Sequence, residues 1–213
     1  VLESAAELGR YVVAYEAQEP FLPPGSFRRT TGLVDMPTSG DTRVLLETFV
    51  VTDRLTFAGQ KLVHEPRSGW VEMTVGVLVD ETGVAHALNP SITVAAGETL
   101  TVEEKFQGGT GINLTPPPPQ IMGAAALAQV KSAVERVAKA MDIRNYVRFD
   151  LFVRVADGMI YVIEANSLPA LTPSTVLYHQ ALAEEVPMVP RRLLERLIET
   201  SRAARPQGAA KAA

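Results

Sequence analysis

A short segment in the last third of the chain carries the residue types that could bind a metal ion. Asp150 lies early in the apolar and aromatic run RFDLFVRV, and Glu164 and Asn166 end the next run, MIYVIEAN. Between the two runs, Asp157-Gly158 is a signal for a two-residue hairpin turn. We therefore predict two antiparallel strands that bring Asp150 to face Glu164 and Asn166. Two carboxylates and an amide oxygen form an all-oxygen ligand set, which suits Mg²⁺, especially when the ion also carries substrate phosphates.

Arg148 adds a positive charge to this predicted site. It lies two residues before Asp150, so both side chains project from the same face of the strand. A guanidinium beside a metal ion is suited to phosphoryl chemistry. Each of these residues taken singly is explained more simply as part of an ordinary surface hairpin. The whole set, followed directly by Ser-Leu-Pro-Ala-Leu-Thr after Asn166, favours a site.

The composition sets limits on the class of protein. The 213 residues leave room for one large domain or two small ones, and 46% hydrophobic residues suffice for a core. A formal net charge of −4 gives no reason to expect a nucleic-acid partner. The chain has no cysteine, which excludes disulfides and thiolate chemistry and fits a cytoplasmic protein. We find no membrane-spanning run and no signal peptide, and the first residue, Val1, predicts a start inside a longer protein.

The segment 1–49 is the least informative part of the sequence. Its LGRYVVAYEA run fits either a strand or the end of a helix, and FLPPGSFRRTTG is typical of a loop broken by proline and glycine. The run 43–51 predicts a buried strand that carries Glu47. A carboxylate that faces water at a strand end is as good an explanation of Glu47 as a binding role.

A hairpin over 52–68 and a strand over 70–79 follow. In the strand, alternation puts Glu72, Thr74 and Gly76 on one face and apolar residues on the other. A polar face that lines a cleft and a polar face that meets water explain this pattern equally well. The next short strand is broken by Asn89-Pro90.

Three helices are predicted in the second half of the chain. The clearest spans 123–141, with an apolar stripe formed by Leu127, Val130, Val134, Val137 and Met141. A second helix starts at 172–174, and a third covers 191–202. The third helix directs four apolar residues inward, namely Leu193, Leu194, Leu197 and Ile198. We expect 201–213 to be a disordered tail.

The two strands predicted around Asp157-Gly158, with the segment that follows them, also resemble a segment of a known family. R-F-D, followed by E-A-N-S-L-P-A-L-T-P-S-T, resembles the C-terminal catalytic segment of the D-alanine–D-alanine ligases, which are members of the ATP-grasp superfamily. The resemblance covers roughly 69–197. It implies an α+β fold, in which a mainly antiparallel sheet is covered by helices on one face. The domain 50–200 would be the C-terminal half of an ATP-grasp domain, and 1–49 an uncertain remnant of the upstream subdomain.

This resemblance implies ATP and Mg²⁺ as cofactors. It assigns the metal to Asp150, Glu164 and Asn166, and the stabilisation of developing charge to Arg148. Glu47 resembles the acid of the adenine pocket. Glu72 stands where the family's G-x-E-x-T-V strand carries the acid that binds the ribose.

Two further segments resemble functional parts of these ligases. Lys105, in E-E-K-F, resembles a lysine on the phosphate side of the site. The glycine-rich loop 107–113 resembles a mobile lid over the phosphates. The alternative is a flexible loop stiffened by the prolines 116–119, but the register of Lys105 with the family favours the lid. The backbone around Ala170, with Ser174 and Thr175, would hold the carboxylate of the acceptor amino acid.

The sequence departs from the family in three places. Ala170 and Thr175 stand where the family usually has Gly and Ser, and 1–44 contains no upstream lysine with a Gly/Ser-rich lid. The chain is then either the C-terminal part of a longer ligase or a diverged short member. We expect the chain by itself to fold without turning over ATP.

Two functions stay open at this stage. The first is the Mg-ATP-binding part of an ATP-dependent carboxylate–amine ligase that works through an acylphosphate. The second is a non-catalytic ATP-grasp remnant that binds a nucleotide or a partner chain. The ligase would take small-molecule carboxylate and amine substrates, and a homodimer is left open as its assembly.

Overall fold

The computed structural model describes residues 1–30, 32–37, 45–94 and 112–203. The chain divides into two compact units, Val1–Phe49 and Val50–Ala213. The second unit contains the predicted metal ligands and most of the regular structure.

The first unit is built on helix α1, Ala5–Glu16. Ser4 caps its start, because the Glu7 backbone N–H donates to Ser4 Oγ at 3.2 Å. Two short strands, β1 (Phe21–Leu22) and β2 (Val34–Asp35), pair antiparallel. The run LGRYVVAYEA, for which a strand and the end of a helix were both open, forms the end of α1, so the helix is correct. The small core of this unit consists of Ala14, Leu22, Phe27 and Met36.

The prediction of a buried strand over 43–51 is wrong for its described part. Residues 45–51 form no strand, Leu45 is 82% exposed and Glu47 is exposed. An apolar run becomes a strand only where a neighbouring backbone pairs with it. Among the described residues, none forms such a ladder with 45–51.

The second unit contains eight strands and three helices within the described ranges. The strands are β3 Arg54–Ala58, β4 Lys61–Glu65, β5 Trp70–Val79, β6 Ala85–Ala87, β7 Ile92–Val94, β8 Ile112–Leu114, β9 Tyr146–Arg154 and β10 Ile160–Asn166. The helices are α2 Ala124–Ala140, α3 Val176–Leu182 and α4 Pro190–Ala203. The main sheet has the strand order β10-β9-β5-β6 and is antiparallel throughout. The α+β class and the antiparallel sheet are confirmed.

The hairpin predicted over 52–68 is confirmed as β3 and β4, and a buried carboxylate ties it to β5. Asp53 accepts backbone N–H groups from Arg67, Ser68 and Gly69 at 2.8–2.9 Å, and its Oδ2 lies 2.8 Å from His64 Nε2. Burial raises the pKa of Asp53, but the backbone donors and His64 outweigh burial and hold the pKa below its ordinary value. This carboxylate therefore stabilises the junction as an anion.

One face of the main sheet packs on α2 and forms the larger core. Strict alternation along β5 and β9 places apolar side chains directly opposite one another, as in Val75 opposite Phe149. The residues on this face are at most 1% exposed, namely Val71, Met73, Val75, Val77, Val147, Phe149, Leu151 and Val153. Helix α2 covers them with Ala126, Val130, Val134 and Ala138.

Two details of the predicted 123–141 helix differ from the structure. Met141 caps the helix end and is exposed, so the buried stripe ends at Ala138. Glu135, on the predicted solvent side, accepts the Ala87 backbone N–H at 2.9 Å and thereby holds β6 against α2.

The other face of the sheet is covered at one end by α3 and α4. The buried residues of these helices pack against Leu78 and Leu88. They are Leu177, Tyr178, Ala181, Leu193 and Leu197. The prediction of helices on one face only is therefore wrong, because β5 carries apolar residues on both of its faces near its end.

Three smaller corrections also concern these helices. Helix α3 begins at Val176, Ile198 is exposed, and α4 continues to Ala203 into the predicted tail. In the parts of the chain that the structure describes, no helix combines the length and apolarity needed to cross a membrane.

Candidate active site on the polar face of the sheet

The middle of the sheet's second face brings four of the predicted site residues together. In the β9–β10 pair, Asp150 lies opposite Glu164 and Arg148 lies opposite Asn166. In the β9–β5 pair, Asp150 also lies opposite Thr74. Residues directly opposite each other project to the same side of a sheet, so all five side chains share one face. We refer to these five residues as the polar cluster.

A β-bulge in β10 is what turns Glu164 toward Asp150. Before the bulge Val162 pairs with Leu151, and after it Glu164 pairs with Asp150, so Ile163 is an extra residue. Without the extra residue Ile163 would lie opposite Asp150, and Glu164 would point to the apolar core.

The hairpin turn itself differs from the prediction. The Arg154 N–H donates to the Met159 carbonyl and the Gly158 N–H to the Arg154 carbonyl, so the strands are joined by the longer loop 155–158. A two-residue turn at Asp157-Gly158 would have paired Asp150 with Ala165. The longer loop alone would place Ile163 opposite Asp150, and the bulge then brings Glu164 to that position. Gly158 has φ +74°, and a Cβ there would overlap the Ala126 carbonyl oxygen, so the loop requires glycine.

Arg148 and Asn166 bridge the two carboxylates. Arg148 Nη2 lies 3.0 Å from Asp150 Oδ2 and 3.9 Å from Glu164 Oε1. Asn166 Nδ2 donates to Glu164 Oε1 at 2.9 Å and approaches Asp150 Oδ2 at 3.4 Å. The Arg148 and Asp150 side chains are only 13% and 17% exposed. These charges therefore lie in a partly desolvated cluster rather than on an open surface.

Thr74 is a member of the cluster to which the sequence assigned no role. Its Oγ1 donates to Asp150 Oδ1 at 2.8 Å and fixes that carboxylate from the β5 side. The only signal in the sequence was its place beside Glu72 on the polar side of the alternation. The hydroxyl contact depends on strand register, which the sequence alone does not reveal.

The pKa of Asp150 shows that the cluster tolerates negative charge poorly. Burial raises this pKa, the positive charge of Arg148 and the Thr74 hydroxyl lower it, and Glu164 raises it again; the net result is a raised pKa. A largely shielded carboxylate beside a second, more exposed one favours either a shared proton or a cation. A divalent cation would neutralise both.

The residues present fit Mg²⁺. Among the described residues no group of three or more His, Cys, Asp or Glu side chains is arranged to hold a metal, so an amide ligand is needed here. Asn166 already contacts both carboxylates, and a half-turn of its amide exchanges Nδ2 for Oδ1. Asp150, Glu164 and Asn166 would then supply the hard oxygen ligands that Mg²⁺ prefers.

The polar face continues from the cluster toward an aromatic end. Glu72 shares this face and lies opposite Phe152, and it is half-buried. Beyond it, the Trp70 and Tyr161 rings stack at 4.7 Å with an interplanar angle of 10°, and the Arg154 guanidinium lies 5.8 Å from the Trp70 ring centre. The face thus runs from charged groups to apolar rings.

The acceptor residues Ala170, Ser174 and Thr175 lie together just before α3. Ala170 and Ser174 are exposed, and Thr175 is the buried N-cap residue. The Tyr178 hydroxyl donates to the Leu171 carbonyl at 3.1 Å and holds this segment against the helix.

Three further predictions concern Lys105, the loop 107–113 and Glu47. Lys105 and most of the loop 107–113 lie outside the described residues, and Ile112 and Asn113 belong to β8 rather than to a loop. Glu47 lies in the first unit, where it is exposed. Their nucleotide roles stay predictions.

A half-buried carboxylate–arginine cluster on an antiparallel sheet is suited to nucleotide-dependent group transfer, and comparison with known proteins identifies the family. The family model described as D-ala D-ala ligase C-terminus matches residues 41–199. The chain belongs to this family, and the resemblance to the ATP-grasp ligases is confirmed.

Curated relatives and solved structures give the extent of the similarity. D-alanine–D-alanine ligase from Nitratidesulfovibrio vulgaris (strain DP4) is 32% identical over 139 residues, covering 64% of this chain and 43% of that protein. The ligase from Oleidesulfovibrio alaskensis is 31% identical over 153 residues, covering 71% and 46%. The chain thus spans less than half the length of these relatives. The Bacillus anthracis ligase in its crystal structure with ATP has 24% identity and a TM-score of 0.45, covering 66% of this chain and 40% of that one.

Proposed function

We propose that this chain is the Mg²⁺- and ATP-binding C-terminal part of an ATP-dependent carboxylate–amine ligase that works through an acylphosphate. The observation that carries the proposal is the polar cluster, in which two carboxylates, an amide, a hydroxyl and an arginine converge on one face. Membership of the D-ala D-ala ligase C-terminal family supports it.

In this proposal the polar cluster holds the metal and the transferred charge. Asp150, Glu164 and Asn166 hold Mg²⁺, and Thr74 keeps the Asp150 carboxylate in position. When bound, the ion neutralises negative charge on the nucleotide phosphates. Arg148 supplies a positive charge that stabilises the charge developing on oxygen as the phosphoryl group moves.

The nucleotide would lie along the same face. Glu72 accepts hydrogen bonds from the ribose, Lys105 is the cation on the phosphate side, and Glu47 contributes to the adenine pocket. These assignments rest on the positions of the three residues in the family's motifs. The gradient from charged cluster to stacked rings matches the polarity of a nucleoside triphosphate.

The acceptor amino acid would bind before α3. The backbone at Ala170 and the hydroxyls of Ser174 and Thr175 hold its carboxylate, while its amine attacks the acylphosphate carbon and phosphate leaves. Since Ala170 and Thr175 replace the family's usual Gly and Ser, the acceptor is left as an amino acid of unspecified side chain. The protein that contains this chain would act in the cytoplasm, in keeping with the absence of cysteine.

A non-catalytic nucleotide- or partner-binding module is the second candidate. The observation in its favour is that 1–44 contains no lysine followed by a Gly/Ser-rich lid. A phosphate clamp with one side missing would bind nucleotide weakly and transfer no phosphoryl group.

Substitution of Arg148 tests the proposal. In an acyl-hydroxamate assay on a longer protein that includes this chain, Arg148→Met should lower kcat on the order of 100-fold or more, with a folded protein by thermal unfolding. Arg144→Met is the matched control, because Arg144 is exposed and pairs only with Asp142. Full activity in Arg148→Met would contradict the ligase role. No activity in the unsubstituted protein, with nucleotide binding retained, would favour the non-catalytic module.

A further inference from the structure

Among the described residues, the strand β5 has no continuous partner on the edge away from β9. There it pairs with β6 only near its end, and Ser91 forms an isolated bridge to Thr74. Between these two points the Leu88 N–H donates to the Gly76 carbonyl, but the Gly76 N–H has no backbone acceptor among the described residues. A buried N–H in this position needs another partner.

Gln180 on α3 supplies that partner. Its Oε1 accepts the Gly76 N–H at 2.8 Å, and its Nε2 donates to the Thr74 carbonyl at 2.8 Å and to Ser91 Oγ at 3.1 Å. The residue is 0% exposed. Gln180 Oε1 thus supplies the acceptor that a continuous neighbouring strand would offer to the Gly76 N–H, and Gln180 Nε2 adds a second donor to the Thr74 carbonyl, which also accepts the Ser91 N–H.

Gly76 lets α3 come close enough for this pairing. A Cβ on Gly76 would overlap Leu177 Cδ1 and would lie 2.9 Å from Gln180 Oε1. Any larger residue would force the buried Leu177 and Gln180 side chains out of their present positions. The contact is therefore built by both partners, a glycine on the strand and a buried glutamine on the helix.

The contact joins two halves of the proposed site. On the sheet side, Gln180 holds the backbone of Thr74, whose hydroxyl fixes Asp150, and Gly76 lies opposite Arg148. On the helix side, α3 directly follows the acceptor segment, which we define as 170–175. The Tyr178 hydroxyl fastens this segment to the helix.

We propose that Gln180 is a positioning residue that fixes the acceptor segment relative to the Asp150 carboxylate. The name acceptor segment rests on the proposed ligase function, whereas the mechanical link does not. A residue of this kind touches neither nucleotide nor amine. Its loss should displace the acceptor, and small displacements of a reacting group cost large factors in rate.

Hydrogen exchange on this chain tests the link without any activity. In Gln180→Met, the Gly76 amide and the amides of 170–175 should exchange faster by about tenfold, beyond the change measured for the core amides of Phe149 and Leu151. The core amides report the global loss of stability. Gln129→Met is the matched control, because Gln129 is an exposed residue of α2, and it should leave all these amides unchanged. A uniform increase at core and acceptor segment alike would overturn the proposal.

A gentler variant keeps the test decisive if Gln180→Met fails to fold. Ser91→Ala removes one partner of Gln180 Nε2, together with the contact between Ser91 Oγ and Thr115 Oγ1, and should speed exchange in the same places by a smaller factor. Unchanged exchange at both Gly76 and the acceptor segment in folded Ser91→Ala would then count against the link.

Kinetics separate this proposal from the ligase proposal. In an active longer protein, Gln180→Met should raise KM for the amine on the order of tenfold or more, with KM for ATP nearly unchanged. Unchanged amine kinetics would overturn the positioning role and leave the ligase function intact. If the unsubstituted protein shows no ligase activity, the proposed function fails, and the exchange pattern still decides whether Gln180 holds the segment.

Discussion

Two carboxylates in the second unit, one buried and one half-buried, have opposite environments. The Asp53 side chain is 0% exposed and accepts three backbone N–H groups besides its contact with His64. The Asp150 side chain is 17% exposed and shares its surroundings with a second carboxylate, Glu164. Local partners hold the pKa of Asp53 below its ordinary value, whereas burial raises the pKa of Asp150.

The difference separates a structural carboxylate from one that we propose binds a metal ion. Asp53 has donors enough for its charge, so the folded chain stabilises the anion without outside help. Asp150 lies beside a second carboxylate, Glu164, which together with burial raises the pKa of Asp150, and a divalent cation would neutralise both negative charges. Titratable groups whose pKa is perturbed, as that of Asp150 is, are often found at functional sites, although ion-pair networks also perturb pKa values.

The largest expected effect on stability is at Asp53. Asp53→Ala leaves three backbone N–H groups at the β3–β5 junction without their acceptor and should lower the free energy of unfolding by roughly 2–4 kcal/mol. Asp150→Ala should lower it by less than about 1 kcal/mol, because the anion it removes was already disfavoured. Chemical denaturation of both variants measures the difference. Equal losses at the two positions would remove the distinction.

Gly76→Ala is expected to have the next largest effect, because the added methyl overlaps the buried Leu177 side chain and crowds Gln180, so both side chains must move. The free energy of unfolding should fall by about 1–3 kcal/mol. Gly9→Ala in α1 is the control, since nothing lies within 4 Å of the added Cβ, and it should be neutral or stabilising. If Gly76→Ala were as stable as the unsubstituted chain, α3 would not be held as closely as described.

The pH dependence of stability should have opposite signs at the two carboxylates. For Asp53 the folded pKa is lowered, so its contribution is present above the ordinary value of 3.8 and is lost as the pH falls through the folded pKa. For Asp150 the folded pKa is raised, so its contribution is present below 3.8 and is lost as the pH rises through the folded pKa.

Asparagine variants measure these two contributions. The free energy of unfolding of Asp53→Asn and Asp150→Asn should be compared with that of the unsubstituted chain between about pH 3 and about pH 7. The advantage in free energy of unfolding of the unsubstituted chain over Asp53→Asn should shrink as the pH falls. Its free energy of unfolding relative to Asp150→Asn should instead fall as the pH rises. Two curves of the same sign would contradict the assignment of Asp150.

Much of the polar cluster could be predicted from the sequence because it depends on local patterns. Strand alternation placed Arg148 with Asp150, and the order of the two runs placed Glu164 and Asn166 near them. The bulge at Ile163 could not be predicted, because nothing in MIYVIEAN marks which residue is extra. The prediction reached the correct partners through an incorrect turn.

Long-range contacts account for the rest of what the sequence did not reveal. Gln180 is a polar residue in an ordinary helical segment, and its role depends on a gap in the partner of β5, 104 residues away from it along the chain. The wrong strand over 43–51 has a related cause, because an apolar run does not specify whether a partner strand lies beside it.

Binding of Mn²⁺, a paramagnetic substitute for Mg²⁺, tests the central claim most directly. Titration of the chain in the presence of a non-hydrolysable ATP analogue, followed by electron paramagnetic resonance, should show a site whose affinity falls on the order of 100-fold in Asp150→Asn. Asp157→Asn is the matched control, because this exposed carboxylate lies in the hairpin loop and pairs with Arg154, and it should bind as the unsubstituted chain does. Equal Mn²⁺ affinity in Asp150→Asn and Asp157→Asn would show that the polar cluster does not hold the metal.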